Sequence, residues 1–193
     1  MLLAWAAPAL AQNQLERVNQ ARQERALSGT RIFLGLNGLN LGLSSALYFS
    51  TEPDWQPVYG LNMAWAATNL VLGSMAYYSL RRQATQLDPW GSIKEHYQLE
   101  KAYLFNTALD LSYITVGVAI AARAASQAAY QAQIQRGYGA SFMLQGGLLL
   151  VYDLVMYLRI HGQADDLGRV LDEFLSDTTR AGLPLEALAH RYE

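Results

Sequence analysis

Residues 102–122 read AYLFNTALDLSYITVGVAIAA, and the only charged side chain in this stretch is Asp110. A helix of that length rises about 30 Å at about 1.5 Å per residue, which matches the hydrocarbon thickness of a bilayer. Three more runs of this kind occur in the chain, Ile32–Phe49, Val58–Leu80 and Gly137–Leu158, the last with Asp153 inside. A soluble bundle would keep a charged face on every helix, and none of these runs has one over roughly five turns. They predict an all-α fold, a four-helix transmembrane bundle over residues 32–160.

The flanks agree. Tyr48, Trp55, Tyr59, Tyr77, Tyr78, Trp90, Tyr103, Tyr138 and Tyr157 lie near the ends of the runs, where amphipathic rings favour the headgroup layer. Glu52-Pro53-Asp54-Trp55-Gln56-Pro57 is a turn, and Asp88-Pro89-Trp90-Gly91-Ser92 opens a short amphipathic stretch toward His96. The Ala- and Gln-rich segment 123–136 is expected to continue as helix until Gly137 breaks it, with Gly137-Tyr138-Gly139 turning the chain into the membrane. Residues 12–31 form a polar, helix-prone segment. In the tail, 161–193, Leu167, Val170, Leu171, Phe174 and Leu175 recur at helical spacing beneath Asp165, Asp166, Arg169, Asp172 and Glu173. That pattern is an amphipathic C-terminal helix, lying on the membrane surface, on a partner or on its own bundle.

Composition excludes several classes. With no cysteine there is no disulfide framework, zinc ribbon, iron–sulfur cluster or thiol nucleophile. A net charge of -2 and a pI of 5.9 argue against a nucleic-acid-binding domain, which normally shows a strongly basic face. Only 16% of residues are charged, so the apolar residues gather in blocks rather than alternating with charges.

The four runs read as two repeated helical hairpins. Shifted by one constant offset, Leu34 falls on Leu104, Leu39 on Leu109 and Asn40 on Asp110; a second, slightly longer offset lays Tyr59-Gly60 on Tyr138-Gly139 and Tyr78 on Tyr157. Two signals of orientation oppose one another. Ala9-Leu10-Ala11 before Gln12 has the small-x-small form of a cleavage site, which makes 1–11 the remnant of a secretory signal and puts the following segment outside. Of the 14 Lys and Arg residues, however, all but Arg123 and Arg136 fall on the face shared by residues 12–31, the second connection and the tail, which places that face in the cytoplasm.

Polar side chains inside a span need partners, since a bare carboxylate in hydrocarbon costs several kcal/mol. At helical periodicity, Asn37, Asn40 and Ser44 form one stripe of the first span, opposite Gly35, Gly38, Gly42 and Ala46, a small-residue face suited to close helix packing. The second span groups Asn62, Trp65, Ala66, Asn69 and Gly73. The third groups Asn106, Asp110, Tyr113 and Gly117. The fourth groups Tyr138, Ser141, Gln145, Tyr152 and Met156, with Asp153 set off to one side of that face. No Lys, Arg or His lies within a span, so the expected partners of Asp110 are Asn40, Asn69, Asn106 or Gln145, while Asp153 is within reach of Arg159 or Arg81. One reading makes these groups hydrogen-bonded glue between helices, and the other a ligand or ion site of Asp110, Asn106, Asn40, Asn69, Gln145 and Asp153.

Arg31, Arg81, Arg82, Lys101 and Arg159 gather at one membrane face, as topological anchors or as a site for anionic lipid headgroups. The three histidines, His96, His161 and His190, all lie outside the spans, which excludes a bis-histidine haem cage. His96 and His161 share a face with Glu95, Glu100, Asp165 and Asp166, so a surface metal site there is a lesser expectation. No nucleophile–base set, phosphate loop or dinucleotide fingerprint occurs.

Residues 99–110, Leu99-Glu100-Lys101-Ala102-Tyr103-Leu104-Phe105-Asn106-Thr107-Ala108-Leu109-Asp110, together with Arg136-Gly137-Tyr138-Gly139-Ala140-Ser141, Leu144-Gln145-Gly146-Gly147 and Tyr152-Asp153, resemble an uncharacterised family of bacterial four-span membrane proteins, a domain of unknown function. The resemblance runs from about Leu15 to Arg159. It implies a small integral protein of the bacterial inner membrane, with a leader ending much like Ala11-Gln12 and no established activity. The expected function is binding of a lipid, small ligand or partner protein through the polar layer. A proton- or cation-coupled transporter centred on Asp110 and a lipid-modifying enzyme using Asp110 and Asp153 are the alternatives. No cofactor is implied. The expected partners are membrane lipids, and a second copy or another protein through the C-terminal helix or the Gly38/Gly42 face, with no nucleic acid.

Overall fold

Every regular element among the described residues is a helix, as the patterning predicts. The computed structural model describes residues 3–180, with side chains described from Gln12 to Ser176 and at Thr179. The tail beyond Arg180, part of the expected 161–193 segment, lies outside the described residues. The order is α1 (Leu3–Ser50), α2 (Gln56–Arg82), α3 (Pro89–Arg123), a 3-10 turn (Ala124–Ser126), α4 (Ala129–His161) and α5 (Ala164–Arg180).

α1 is one unbroken helix of 48 residues, so the polar segment 12–31 and the first apolar run are a single rod of about 72 Å. α2 begins after the Pro53 turn with Pro57 in its first turn, where a missing N–H costs nothing. α3 begins earlier than its apolar run: Asp88 caps it, its carboxylate accepting from Gly91 N at 2.6 Å, and Pro89 opens the first turn. The break before α4 falls at Gln127 and Ala128, which adopt extended backbone, and not at Gly137 as the sequence suggests. Gly137 and Gly139 sit inside α4, because a neighbouring backbone presses on each of them. Arg81 and Arg82 close α2, and Arg159 and His161 close α4, each at the negative end of a helix dipole.

Two hairpins result. α1 packs along α2, and α3 along α4. They join chiefly through α2 and α4, with α1 also touching α4, while α2 and α3 do not pack on one another. Contacts between the α2 and α4 segments keep a constant separation of 79 in sequence: Gln133 Nε2 donates to Asp54 Oδ1 at 2.6 Å, and Ser141 Oγ donates to Asn62 Oδ1 at 2.9 Å. Gly137 and Val58 keep the same register, for a Cβ on the glycine would lie 3.2 Å from Val58 N. Such a constant offset means parallel helices in fixed register. α1 also meets the start of α3, where Arg22 Nη1 donates to Ser92 O at 3.0 Å, a separation of 70 in sequence.

Three helices, α1, α3 and α4, are long and apolar enough to cross a membrane. α2 is apolar as well, but its amides Asn62 and Asn69 temper its hydropathy. Close helix approach is carried by Gly117, Gly139 and Gly146 at the α3–α4 seam and by Gly73 under Phe33 and Leu34. The Gly35, Gly38 and Gly42 stripe is not a seam within the chain. A Cβ on any of the three would meet nothing within 4 Å, because the rotation of α1 that buries Asn37 and Ser44 turns the opposite stripe outward.

At one end the helices extend past their apolar runs and pack a small polar-lined core. Leu15, Ala26 and Ile160 are fully buried there. Asn19 Nδ2 donates to Ser92 Oγ at 2.9 Å, and Gln23 Nε2 donates to Leu80 O at 2.6 Å. α5 packs on α1 with Leu167 and Phe174 buried, so among the three placements its pattern allows, it lies on its own bundle.

Candidate functional site

Among the described residues, most buried polar groups in the apolar part of the bundle find partners on a neighbouring helix, in three clusters. Asn62 on α2 accepts from both Ser141 Oγ and Gln145 Nε2 on α4, each at 2.9 Å. Asn69 Nδ2 on α2 donates to Asn37 Oδ1 on α1 at 3.0 Å, and Asn37 Nδ2 returns to Phe33 O at 2.9 Å. On the third seam, Asn106 Nδ2 of α3 donates to Asp153 Oδ1 of α4 at 3.4 Å, and the Asp110 carboxyl stands beside that of Asp153 on the wall of one cavity. A contact between two carboxyl groups is attractive only with a proton held between them.

The sequence-derived site residues are thus divided among the clusters. Asp110 meets Asp153, not Asn40, Asn69 or Gln145, and Asn106 serves Asp153 instead. Asn40 accepts from Ser44 Oγ at 3.1 Å within its own helix. Asp153 turns toward α3 rather than toward Arg159 or Arg81. The reason is the position of α4, which touches α1, α2 and α3 together. Two adjacent faces of α4 are both buried, with Gln145 on the α2 side and Asp153 on the α3 side. Asn62 and Ser141 are the members whose role sequence reasoning did not single out. Their shared register, already visible in the repeat, is the signal that would have paired them.

Because α2 and α3 do not pack together, a cavity of about 510 Å³ opens between them at the depth of the acids. Asp110 and Asp153, 2% and 5% exposed, form one wall, with Asn69 and Asn106 beside them. Asn106 itself is exposed at the mouth. Phe33, Tyr103, Tyr113 and Tyr152 supply aromatic surface. The rings of Phe33 and Tyr152 lie 5.1 Å apart, and those of Tyr103 and Tyr152 meet edge to face at 6.4 Å. Asp110 Oδ2 is buried without a hydrogen-bond donor. Toward the polar end the cavity shares Leu80, Leu99 and Ala102 with a groove of about 190 Å³ that reaches Arg22 and Glu95.

Three of the five basic residues at that end stand over tyrosine rings. The Arg31 and Arg81 guanidinium carbons lie 5.7 and 6.0 Å from the Tyr77 ring centre, and that of Arg82 lies 4.0 Å from the Tyr78 ring centre. Lys101 and Arg159 are exposed on the other hairpin. Contacts of this kind hold cations at the headgroup level while their stems follow the apolar surface.

A second titratable cluster lies in the polar end. His161 Nδ1 stands 2.8 Å from Glu100 Oε1, and His96 Nε2 stands 3.4 Å from the same oxygen. His96 is almost fully buried, and burial pulls its imidazole below the ordinary 6.5, with nearby Glu100 opposing and Arg22 adding to the shift. Burial likewise pulls the Arg22 guanidinium down, and Glu95 opposes that. The two histidines converge on one carboxylate oxygen, and among the described residues no group of three His, Asp or Glu side chains is arranged to hold a metal ion.

No curated protein and no solved structure matches the chain. The sequence profile of a family of unknown function, DUF6992, matches residues 32–154. That region holds the first three apolar helical stretches and most of the fourth, with the Asn62 cluster and Asp110 and Asp153. With more than half of its length covered by that profile, the chain belongs to the DUF6992 family of unknown function.

Proposed function

We propose that this is a four-span integral membrane protein that binds an amphiphilic ligand, a lipid or a small molecule with an apolar body, in the cleft between its two hairpins. The observation that carries the reading is the cavity itself. A volume of about 510 Å³ falls within the roughly 300–1,000 Å³ typical of small-molecule sites. Its walls are largely aromatic and aliphatic, and polar groups converge at one side. Membrane depth supports a lateral entrance, since the gap lies between two helices whose outer faces carry exposed Leu72, Met75, Leu104 and Phe105.

The fourth span is supported by packing. α2 runs the length of α1's apolar half, and its amides are satisfied inside the bundle, Asn62 by α4 and Asn69 by α1. A helix whose only strongly polar side chains are internally bonded meets the requirement for lipid contact. The matching offsets of 70 and 79 between helices, the same in sequence and in space, support descent of the two hairpins from one. Such parallel repeats share an axis along the membrane normal. A second reading, a proton- or cation-coupled carrier centred on Asp110, is favoured by the contact between two carboxyl groups on the cavity wall.

Native mass spectrometry of protein gently extracted from membranes tests the binding reading. The wild type retains a lipid or small molecule, and Ala76→Trp or Ala102→Trp, which fill the cleft from its two sides, lose it at unchanged helix content. Equal retention by the filled variants, or no retained species in the wild type, overturns the reading.

A further inference from the structure

Taking the cleft as a binding site, as proposed above, we infer that its ligand is an amphiphilic organic cation, whose positive head pairs with Asp110 and Asp153 while its apolar body lies against the aromatic wall. The cavity carries two carboxyl groups, and among the described residues no Lys, Arg or His lines it. When the pair holds one proton it keeps one negative charge, and a buried charge with no counter-ion is costly in a low-dielectric setting. Among the described residues the polar side chain that reaches the pair is the Asn106 amide, at 3.4 Å from Asp153 Oδ1. Asp110 is only 2% exposed, and among the described residues no N–H or hydroxyl group donates to its Oδ2. A cationic ligand head would supply both a donor for that oxygen and the counter-charge that the walls lack.

The walls select the kind of cation. Phe33, Tyr103, Tyr113 and Tyr152 line the cavity, and ring faces attract ammonium, guanidinium or phosphonium groups within about 6 Å while also covering an apolar body. A bare inorganic cation is disfavoured by the same walls, since hard ions want about six oxygens and no three-ligand acid or histidine set exists among the described residues. An anionic headgroup meets like charge at the acids. Arg31, Arg81 and Arg82 stand over the Tyr77 and Tyr78 rings, and neither they nor Arg159 line the cavity.

Equilibrium dialysis with the full chain in phosphatidylcholine nanodiscs separates charge from greasiness, using tetraphenylphosphonium, tetraphenylborate of the same shape and opposite charge, and neutral triphenylphosphine oxide. The phosphonium binds saturably, one per chain, at least ten-fold tighter than either other probe. Asp110→Asn and Asp153→Asn each weaken it at least ten-fold, Glu52→Gln at the far end leaves it unchanged, and Ala76→Trp abolishes it. Equal binding of the borate or the oxide, or full phosphonium affinity in both Asn variants, overturns the cationic assignment; loss in Ala76→Trp under those outcomes still upholds the cleft. Absence of saturable phosphonium binding overturns the inference too, while retention of native lipid by mass spectrometry reports on the cleft independently.

Discussion

Gly117 and Gly139 stand back to back where α3 crosses α4: a Cβ on either one would lie 2.7 Å from the other's carbonyl oxygen. Gly146, two turns on, is pressed in the same way against Asp110 O at 2.8 Å. These backbone contacts set the rotation of α4 against α3 and so bring Asp153 to Asp110. Gly139→Ala is expected to lower stability by about 1–3 kcal/mol, the usual cost of overpacking. Gly38→Ala, on an open helix face, is expected to be neutral or stabilising by up to about 1 kcal/mol through helix propensity. Thermal melting of both variants in one detergent decides; similar melting temperatures would contradict the packing.

Asn62 is a single acceptor shared by Ser141 and Gln145. Asn62→Leu leaves both donors unpaired across the main contact between the hairpins. A loss of about 1–3 kcal/mol is expected, from the range for stranded buried groups, whereas Asn62→Asp keeps the acceptor and loses less. Unfolding in a denaturing detergent series measures both, and equal loss would remove the shared-acceptor account.

Asp153→Asn retains an oxygen for Asn106 and gains an amide donor for Asp110, so the seam survives it. Asp153→Leu strands Asn106 Nδ2 and isolates Asp110. Expected is a clear ordering in melting temperature, with Asp153→Asn within about 1 kcal/mol of the wild type and Asp153→Leu lower by roughly 1–3 kcal/mol. A reversed order would show that the two acids do not interact through hydrogen bonds.

The polar end gives the chain a pH dependence with a defined sign. Burial holds the His96 imidazole below its ordinary 6.5, so the folded state takes up this proton less readily than the unfolded one. The resulting stabilisation is complete above about pH 6.5 and is lost as pH falls through the lower, folded value. Melting temperature is expected to decline from pH 7 to pH 5, and less steeply in His96→Gln. A decline that is unchanged in that variant would assign the acid sensitivity elsewhere.

The chain has no cysteine, so single cysteines report sidedness directly. Under four spans, Thr51→Cys and Ser126→Cys react with a membrane-impermeant maleimide from one side of sealed vesicles, and Gln86→Cys reacts from the other. Reaction of Thr51→Cys and Gln86→Cys from the same side would mean that α2 does not cross.

The sequence already contained the helices, because what makes them is local: long runs almost free of charge, prolines at turns and caps such as Asp88. It also marked the buried stripes, since Asn37, Asn62, Asn69, Asp110 and Gln145 are all turned inward as helical periodicity requires. The break at Gln127 was less legible. Gly137 looked like the weak point of the helix, yet a glycine pressed by Pro57 and Val58 is there for close approach, and that pressure comes from α2, a helix remote in sequence.

Which polar group meets which was settled only in three dimensions. Periodicity fixes the face a residue occupies but not the helix that the face will meet, and α4 meets three. Hence Asp110 found Asp153 rather than an amide, and the Gly38 stripe turned outward when the Asn37 side was buried. The cleft between α2 and α3 likewise has no local cause: it is the space left when two tight hairpins join along α2 and α4, and only the packing of distant glycines determines where that space falls.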